Sequence, residues 1–520
     1  MPSQLCIFHV DLNFVNIKPE YLRSWLHKLA EMGYNGILWE LEDKVKWDTC
    51  PDAAAPDALS KEEFRSILAE AGSLGLEPIP LLQTVGHAEY ILMHDTYRHM
   101  RELPGRHDCY CTENPETRRF LKQLITEYLD LFGNTRYFHL GGDEAYVFAR
   151  CPVCSEEAGR IGRNALYAQH IMDIAAPVRE QGARAGIWCD MVLNHPEEME
   201  AIPSELVIWD WNYWDTDGPI EAVRVWGKGR VTREDLTDEI RSSYPEITGA
   251  NGTLQGFYTS DALKRMGFDV FLCSAARSGG DSIFLPRTHK HARNISGAAR
   301  KTAEAGLLGT CITDWAIRIN SWETHSILLP IAPIILKNPS LHADEALHTI
   351  CSDMFGTDPS LFIEAADTIS KAICPFSYAH STGIQWDGLK DSLPAPPNYI
   401  RNLLTEWKNS GRLDEEKDAI DAVIRNIESG INKLETFTAQ AKTGKELLKF
   451  WSQAAKFQLR QARMAREILN GNCTSDNGKA LRNLKAEYEE FLCFDQTPAS
   501  AAKNAGLVYD CLIEYMECGR

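Results

Sequence analysis

The chain has 520 residues, 44% of them hydrophobic, which is enough for more than one core. Its 54 Lys and Arg against 73 Asp and Glu leave a formal net charge of −19. That argues against nucleic acid or an anionic membrane surface as partner, and for a neutral or cationic ligand. No apolar run is long enough to span a bilayer, and residues 1–5 lack the basic region and apolar core of a signal peptide. Fifteen scattered cysteines, an odd number, suit a reducing compartment better than a disulfide framework. The expectation is a cytoplasmic protein, or one exported with a leader absent from this sequence.

Short apolar runs at 5–10, 36–39, 77–82, 136–140, 185–189, 206–209, 270–274 and 307–313 predict strands. Helical patterns lie between them. Residues 19–32 carry Leu22, Trp25, Leu26 and Leu29 at helical spacing, and Ser60 with Glu63 forms a capping box for a helix over 61–74. Eight strands alternating with helices predict an α/β fold, a (β/α)8 TIM barrel over residues 1–338. Beyond that the strand patterns stop. Residues 341–372 read as helical, a proline-rich loop follows at Leu393-Pro394-Ala395-Pro396-Pro397, and amphipathic stretches run over 399–442, 446–470 and 479–493. Residues 339–520 therefore predict an all-α helical C-terminal domain, a bundle packed beside the barrel. Its charge-rich faces read most simply as solvated surface; a homodimer interface through these helices is the functional alternative.

In a barrel of this kind the chemistry sits at the C-terminal ends of the strands. Polar residues gather there: His9 and Asp11; Glu40, Glu42 and Asp43; Gln83 and His87; Asp143 and Glu144; Asp190; Asp210 and Tyr213; Asp314 and Trp315. The run His139-Leu140-Gly141-Gly142-Asp143-Glu144 is the most informative. Its glycines let backbone and ligand approach closely, and two acids held in different environments of one pocket are what glycoside hydrolysis requires. A solvated acidic turn is the bland alternative; the preceding strand, the His and the glycines weigh against it. Trp188, Trp209, Trp211, Trp214 and Trp315 cluster near strand ends, either as aromatic walls for a sugar or as core. Cys109-x-Cys111 with Cys151-x-x-Cys154 has the spacing of a four-thiolate structural zinc site; unligated thiols are the plainer reading.

The motif His139–Glu144 resembles the strand-end signature of the family 20 glycoside hydrolases, the β-N-acetylhexosaminidases. Gln83-Thr84-Val85-Gly86-His87-Ala88-Glu89 and Ile312-Thr313-Asp314-Trp315 with Arg318 are similar to segments of the hexosaminidase D-like branch. The resemblance implies a retaining exo-β-N-acetylhexosaminidase that removes terminal β-linked GlcNAc or GalNAc from an oligosaccharide or glycoconjugate, with no metal or cofactor. It implies that the substrate's own 2-acetamido oxygen attacks the anomeric carbon to give an oxazolinium ion. Glu144 would then be general acid and later base, with a raised pKa, and Asp143 would orient the acetamido N–H. His87 would lie behind the acid, and His139 would support the strand end. Trp188, Trp209 and Trp315 would wall the acetamido pocket, and the Tyr213 hydroxyl would hold the acetamido carbonyl. The Arg that many members carry after strand one is absent here, and Asp11, Asp314, Arg318 or Glu323 are candidates to replace it. Two rival readings remain: a metal-dependent barrel hydrolase, which would draw on His9 or on His289 and His291, and a non-catalytic sugar-binding barrel.

Overall fold

Ten strands form in the computed structural model, which describes residues 4–316, 319–373 and 399–518. Arg318 and the proline-rich loop at 393–397 lie outside the described residues. The strands are β1 (Leu5–Asp11), β2 (Gly36–Glu40), β3 (Glu77–Leu81), β4 (Tyr137–His139), β5 (Arg184–Trp188), β6 (Val207–Trp211), β7 (Ala222–Val225), β8 (Gly229–Thr232), β9 (Asp269–Arg277) and β10 (Gly309–Asp314). Eight of them close into a parallel barrel in the order β1-β10-β9-β6-β5-β4-β3-β2. These are the eight expected from the apolar runs, with ends moved by a few residues at most. They are buried on both faces, against helices outside and side chains inside, which is why they read as continuous apolar runs rather than alternating ones.

The helix Pro19–Met32 buries Leu22, Trp25, Leu26 and Leu29 as their spacing requires, and stops at Gly33, whose φ of 103° suits a residue without a Cβ. Both halves of the capping box form: Glu63 N donates to Ser60 Oγ, and Ser60 N donates to the Glu63 carboxylate. The remaining two strands, β7 and β8, pair as an antiparallel hairpin inserted between β6 and β9.

After the barrel the described chain is helical. Helices run over Ala343–Phe355, Ser360–Ser370, Tyr399–Asn409, Leu413–Gln440, Lys445–Leu469, Ser475–Leu492 and Pro498–Cys518. Two expected long helices are each broken in two, one at Gly356 (φ 65°) and one at Gly411 (φ 72°), where a left-handed residue ends the hydrogen-bond ladder. The last helix returns to the barrel mouth. Asn504 Nδ2 donates to Phe14 O (3.1 Å), Asn16 N donates to Ser500 Oγ (2.9 Å), and Thr497 N donates to Asn16 O (2.9 Å). The loop after β1 is thus held by helices some 480 residues downstream in sequence. No helix among the described residues is long and apolar enough to cross a membrane.

Candidate active site

The centre of the site is the turn after β4. His139, the last strand residue, has no exposed surface; its ring lies 4.2 Å from that of Trp188 and 4.9 Å from that of Trp209, centroid to centroid. Burial, with a smaller push from His9, holds its pKa well below the usual imidazole range. The neutral ring accepts at Nδ1 from Gly141 N (2.9 Å) and so ties down the start of the turn. Gly141 and Gly142 both have positive φ, 61° and 86°, and a Cβ on either would collide: with Gln83 Oε1 at 2.1 Å, and with the Tyr167 hydroxyl at 2.2 Å. Only glycine fits both the conformation and the space. The turn then delivers Asp143 and Glu144. Glu144 is itself left-handed, φ 45°, a strained conformation for a residue with a side chain. Its N–H donates to Asp190 Oδ2 (2.9 Å).

His87, from the loop after β3, stands between the two carboxylates. Its Nε2 is 3.4 Å from Asp143 Oδ2 and 3.6 Å from Glu144 Oε2. Burial alone would depress its pKa, but the carboxylates of Asp143 and Glu144, with Glu89 behind, outweigh that and hold it well above the usual range. The imidazolium is therefore the shared counter-ion of both acids. Asp143 is buried, and its Oδ1 has no donor among the described residues. Asp190, also buried, accepts from Glu144 N and, at Oδ1, from Trp211 Nε1 (3.2 Å). Burial first, and then the Asp143 charge, raises the Asp190 carboxyl to about 7.

Aromatic rings form one wall. Trp315 donates from Nε1 to the Tyr213 hydroxyl oxygen (2.9 Å), which also hydrogen-bonds the Thr313 side chain, and the Trp315 ring lies 4.8 Å from His9 and 5.8 Å from Trp188. Tyr213 packs on Trp211 at 5.1 Å. Beneath runs a buried polar chain. His9 Nε2 meets Glu40 Oε2 (3.0 Å), Gln83 Nε2 donates to Glu40 Oε1 (2.8 Å), and Gly142 N donates to Gln83 Oε1 (3.3 Å). Four consecutive barrel strands are thereby linked to the turn that carries the acids.

Other expected site residues are placed elsewhere. Trp209 packs wholly buried among His139, Trp188 and Phe271, inside the barrel, and Trp188, buried beside it, meets the site through its ring contact with Trp315 and through its backbone N–H, which donates to Gly141 O (3.1 Å). His139 braces the turn from that same buried layer. Asp314 has no exposed surface; Arg277 (2.5 Å) neutralises it there, as a buried carboxylate requires, and His325 lies 2.6 Å away. Asp11 accepts from Ala316 N (2.7 Å) and Asn13 N (2.8 Å), and Glu323 is held by Lys28 and Trp25 of the first helix. Asp210 faces outward and accepts from the Thr259 and Ser260 hydroxyls, as strand alternation dictates for the neighbour of an inward Trp209. His9 is spent on Glu40, while His291 pairs with Asp281 and His289 approaches Asp344, so the two histidines after β9 do not converge. Cys109 turns its Sγ toward Tyr110 O and away from the other three thiols; Glu102 stands in its place.

One contributor is announced only by its own local pattern. The hairpin β7–β8 is short and alternating, with Val223 and Val225 before a Gly227-Lys228-Gly229 turn and Val231 after it, and it brings Arg224 and Trp226 beside the acid. With Glu144, Tyr146, Asp190 and Asn194 they line a cavity of about 310 Å³. The Arg224 guanidinium lies 5.0 Å from the rings of both Trp214 and Trp226, which fixes it by cation–π contact.

Residues 22–226, which span the turn and its neighbours, match the family model "Glycosyl hydrolase family 20, catalytic domain". Over this stretch the chain is similar to family 20. Hexosaminidase D of Homo sapiens is 31% identical over 225 residues, 40% of this chain and 45% of that protein. Hexosaminidase D of Bos taurus is 28% identical over 215 residues, 39% of this chain and 62% of that one. The match thus spans less than two thirds of either relative. Among solved structures, the Flavobacterium johnsoniae chitobiase is matched at a TM-score of 0.48, with 16% identity, over 96% of this chain and 78% of that one. The family 20 match ends within β7–β8, so β9, β10 and the C-terminal helices lie beyond it.

Proposed function

We propose that the barrel is a retaining exo-β-N-acetylhexosaminidase working by substrate-assisted catalysis. The observation that carries this reading is the unequal setting of two adjacent carboxylates around one imidazolium. Asp143 is buried and keeps one oxygen without a donor among the described residues, which suits it to accept the acetamido N–H and to oppose positive charge developing on that nitrogen. Glu144 is the more open of the two and lines the cavity under the hairpin, so it faces the leaving group.

In the first step the acetamido oxygen attacks the anomeric carbon while Glu144 protonates the departing glycosidic oxygen. In the second, Glu144 takes a proton from water, which attacks the same carbon and reopens the oxazolinium ring. His87 balances the two acids, and Asp190 holds the strained Glu144 backbone. Trp315 donates to the Tyr213 oxygen and so fixes the phenol, whose hydroxyl would turn to the acetamido carbonyl. Trp315 itself offers the apolar face on which a sugar stacks. A glycan ending in GlcNAc or GalNAc is the proposed substrate, residues 1–338 the catalytic unit, and residues 339–520 a helical domain buttressing the loop after β1.

A chromogenic N-acetylhexosaminide, assayed with and without chelator, tests the reading. Turnover that chelator leaves unchanged supports it. Turnover abolished by chelator with the fold intact by circular dichroism, and restored by added metal, favours a metal-dependent hydrolase, and binding without turnover favours a sugar-binding barrel.

A further inference from the structure

Two loops meet beside the site through side chains that catalysis does not use. The loop after β3 contributes Glu102 and Cys111; the loop after β4 contributes Cys151 and Cys154. One carboxylate oxygen and the three sulfurs all lie within 4.8 Å of one another. Cys111 Sγ is 3.8 Å from Cys151 Sγ and 3.6 Å from Cys154 Sγ. These separations are far beyond a disulfide bond of about 2.05 Å. They match the edge of a tetrahedron instead, since sulfurs about 2.3 Å from a central zinc stand about 3.8 Å apart.

Two further features point to a cation. Glu102 is only 2% exposed; one of its oxygens accepts from Arg150 N (2.7 Å) and Cys151 N (2.8 Å), and the other has no donor among the described residues. A buried carboxylate oxygen left without a partner is costly, and a metal ion satisfies it. Cys151 also caps the helix Pro152–Ile161, with Cys154 N donating to its Sγ (3.4 Å). The Cys154 N–H thus aims its positive end at a sulfur that a metal ion would share.

We infer that Glu102, Cys111, Cys151 and Cys154 bind one structural zinc ion. Binding replaces one proton on each thiol and takes the Glu102 carboxylate as it is, so three protons leave for each zinc that enters. Thiolates select zinc over the hard cations magnesium and calcium. Four protein ligands close the coordination shell and leave no position for a reacting water. The ion joins the loop that carries His87 to the loop that carries Glu144, and so holds the imidazolium and the acid at their spacing. Cys109 takes no part.

The test is elemental analysis of the full chain purified without chelator, beside the variants Glu102→Gln, Cys111→Ser and Cys109→Ser. The expected result is about one zinc per wild-type chain, with occupancy lowered in the first two variants and kept in Cys109→Ser. Cobalt(II) added to stripped wild-type protein gives the thiolate charge-transfer absorption of a tetrahedral site, and this readout needs no variant to fold. Wild-type protein with no zinc and no uptake of zinc or cobalt overturns the inference. So does a disulfide between Cys111 and Cys151 or Cys154 in the protein as isolated. Zinc retained by Glu102→Gln but lost by Cys109→Ser assigns a four-cysteine site and overturns this ligand set.

Discussion

A Cβ placed on Gly86 would fall 2.3 Å from the carbonyl oxygen of Asp143. The loop that carries His87 and the turn that carries both acids are therefore in direct backbone contact. That contact is what lets one imidazole reach Asp143 and Glu144 together.

Gly86→Ala forces the two loops apart. Overpacking of this kind costs about 1–3 kcal/mol, and a displacement of about 1 Å at catalytic groups lowers turnover by as much as about 100-fold. Both effects are expected in the one variant, read by denaturant unfolding and by kcat. Wild-type stability together with wild-type kcat would contradict the contact.

Glu144→Gln removes the proposed proton donor and keeps the shape. Turnover of a natural disaccharide, whose leaving oxygen needs protonation, should fall roughly 10²- to 10⁴-fold. An activated aryl glycoside should lose much less. Equal losses on both substrates would argue against a general-acid role.

Strain at Glu144 gives a separate stability test. A left-handed residue with a Cβ carries a cost of roughly 1–2 kcal/mol that glycine avoids. Glu144→Gly should then be at least as stable as Glu144→Ala, by chemical denaturation midpoint, although glycine is ordinarily the more costly substitution. A Glu144→Gly variant less stable by about 1 kcal/mol would remove the claim of strain.

Asp190 predicts a pH effect with a definite sign. Burial and the Asp143 charge hold its folded carboxyl at about 7, against about 3.9 in an unfolded chain. The folded state binds the proton more tightly, so this contribution to stability is fully present below about pH 4 and is lost as pH rises through about 7. Asp190→Asn lacks the titration and keeps an acceptor for Glu144 N. The stability of wild type minus that of the variant should fall from pH 4 to pH 7 and then level off. A difference that grows with pH would contradict the burial of a neutralised acid.

The barrel was legible because its strands are apolar on both faces and separated by helical patterns that repeat. Asp143 and Glu144 were legible because two glycines and a histidine precede them in fixed order. Tryptophans were harder to place. Trp209 and Trp315 carry the same local signals, yet one is barrel core and the other stands at the mouth, because Trp209 lies inside β6 while Trp315 follows the last residue of β10. Asp314 and Glu323 looked like ligand contacts because their partners, Arg277, His325 and Lys28, come from distant segments. The place of Glu102 beside the three thiols is hidden for the same reason: nothing in its neighbourhood announces that it stands where Cys109 is expected. The two breaks in the C-terminal helices were there to be read, in Gly356 and Gly411.

The central claim is that the substrate's acetamido group, held by Asp143, is the nucleophile. The most direct measurement is inhibition by N-acetylglucosamine-thiazoline and its N-acetylgalactosamine counterpart, in wild type and in Asp143→Asn. Mimics of an intermediate near the transition state bind roughly 10²-fold or more tighter than the ground state. At least one thiazoline should therefore bind far more tightly than the free sugar, and Asp143→Asn should lose both that affinity and most turnover. An active enzyme that binds both thiazolines no better than the free sugars would contradict the account.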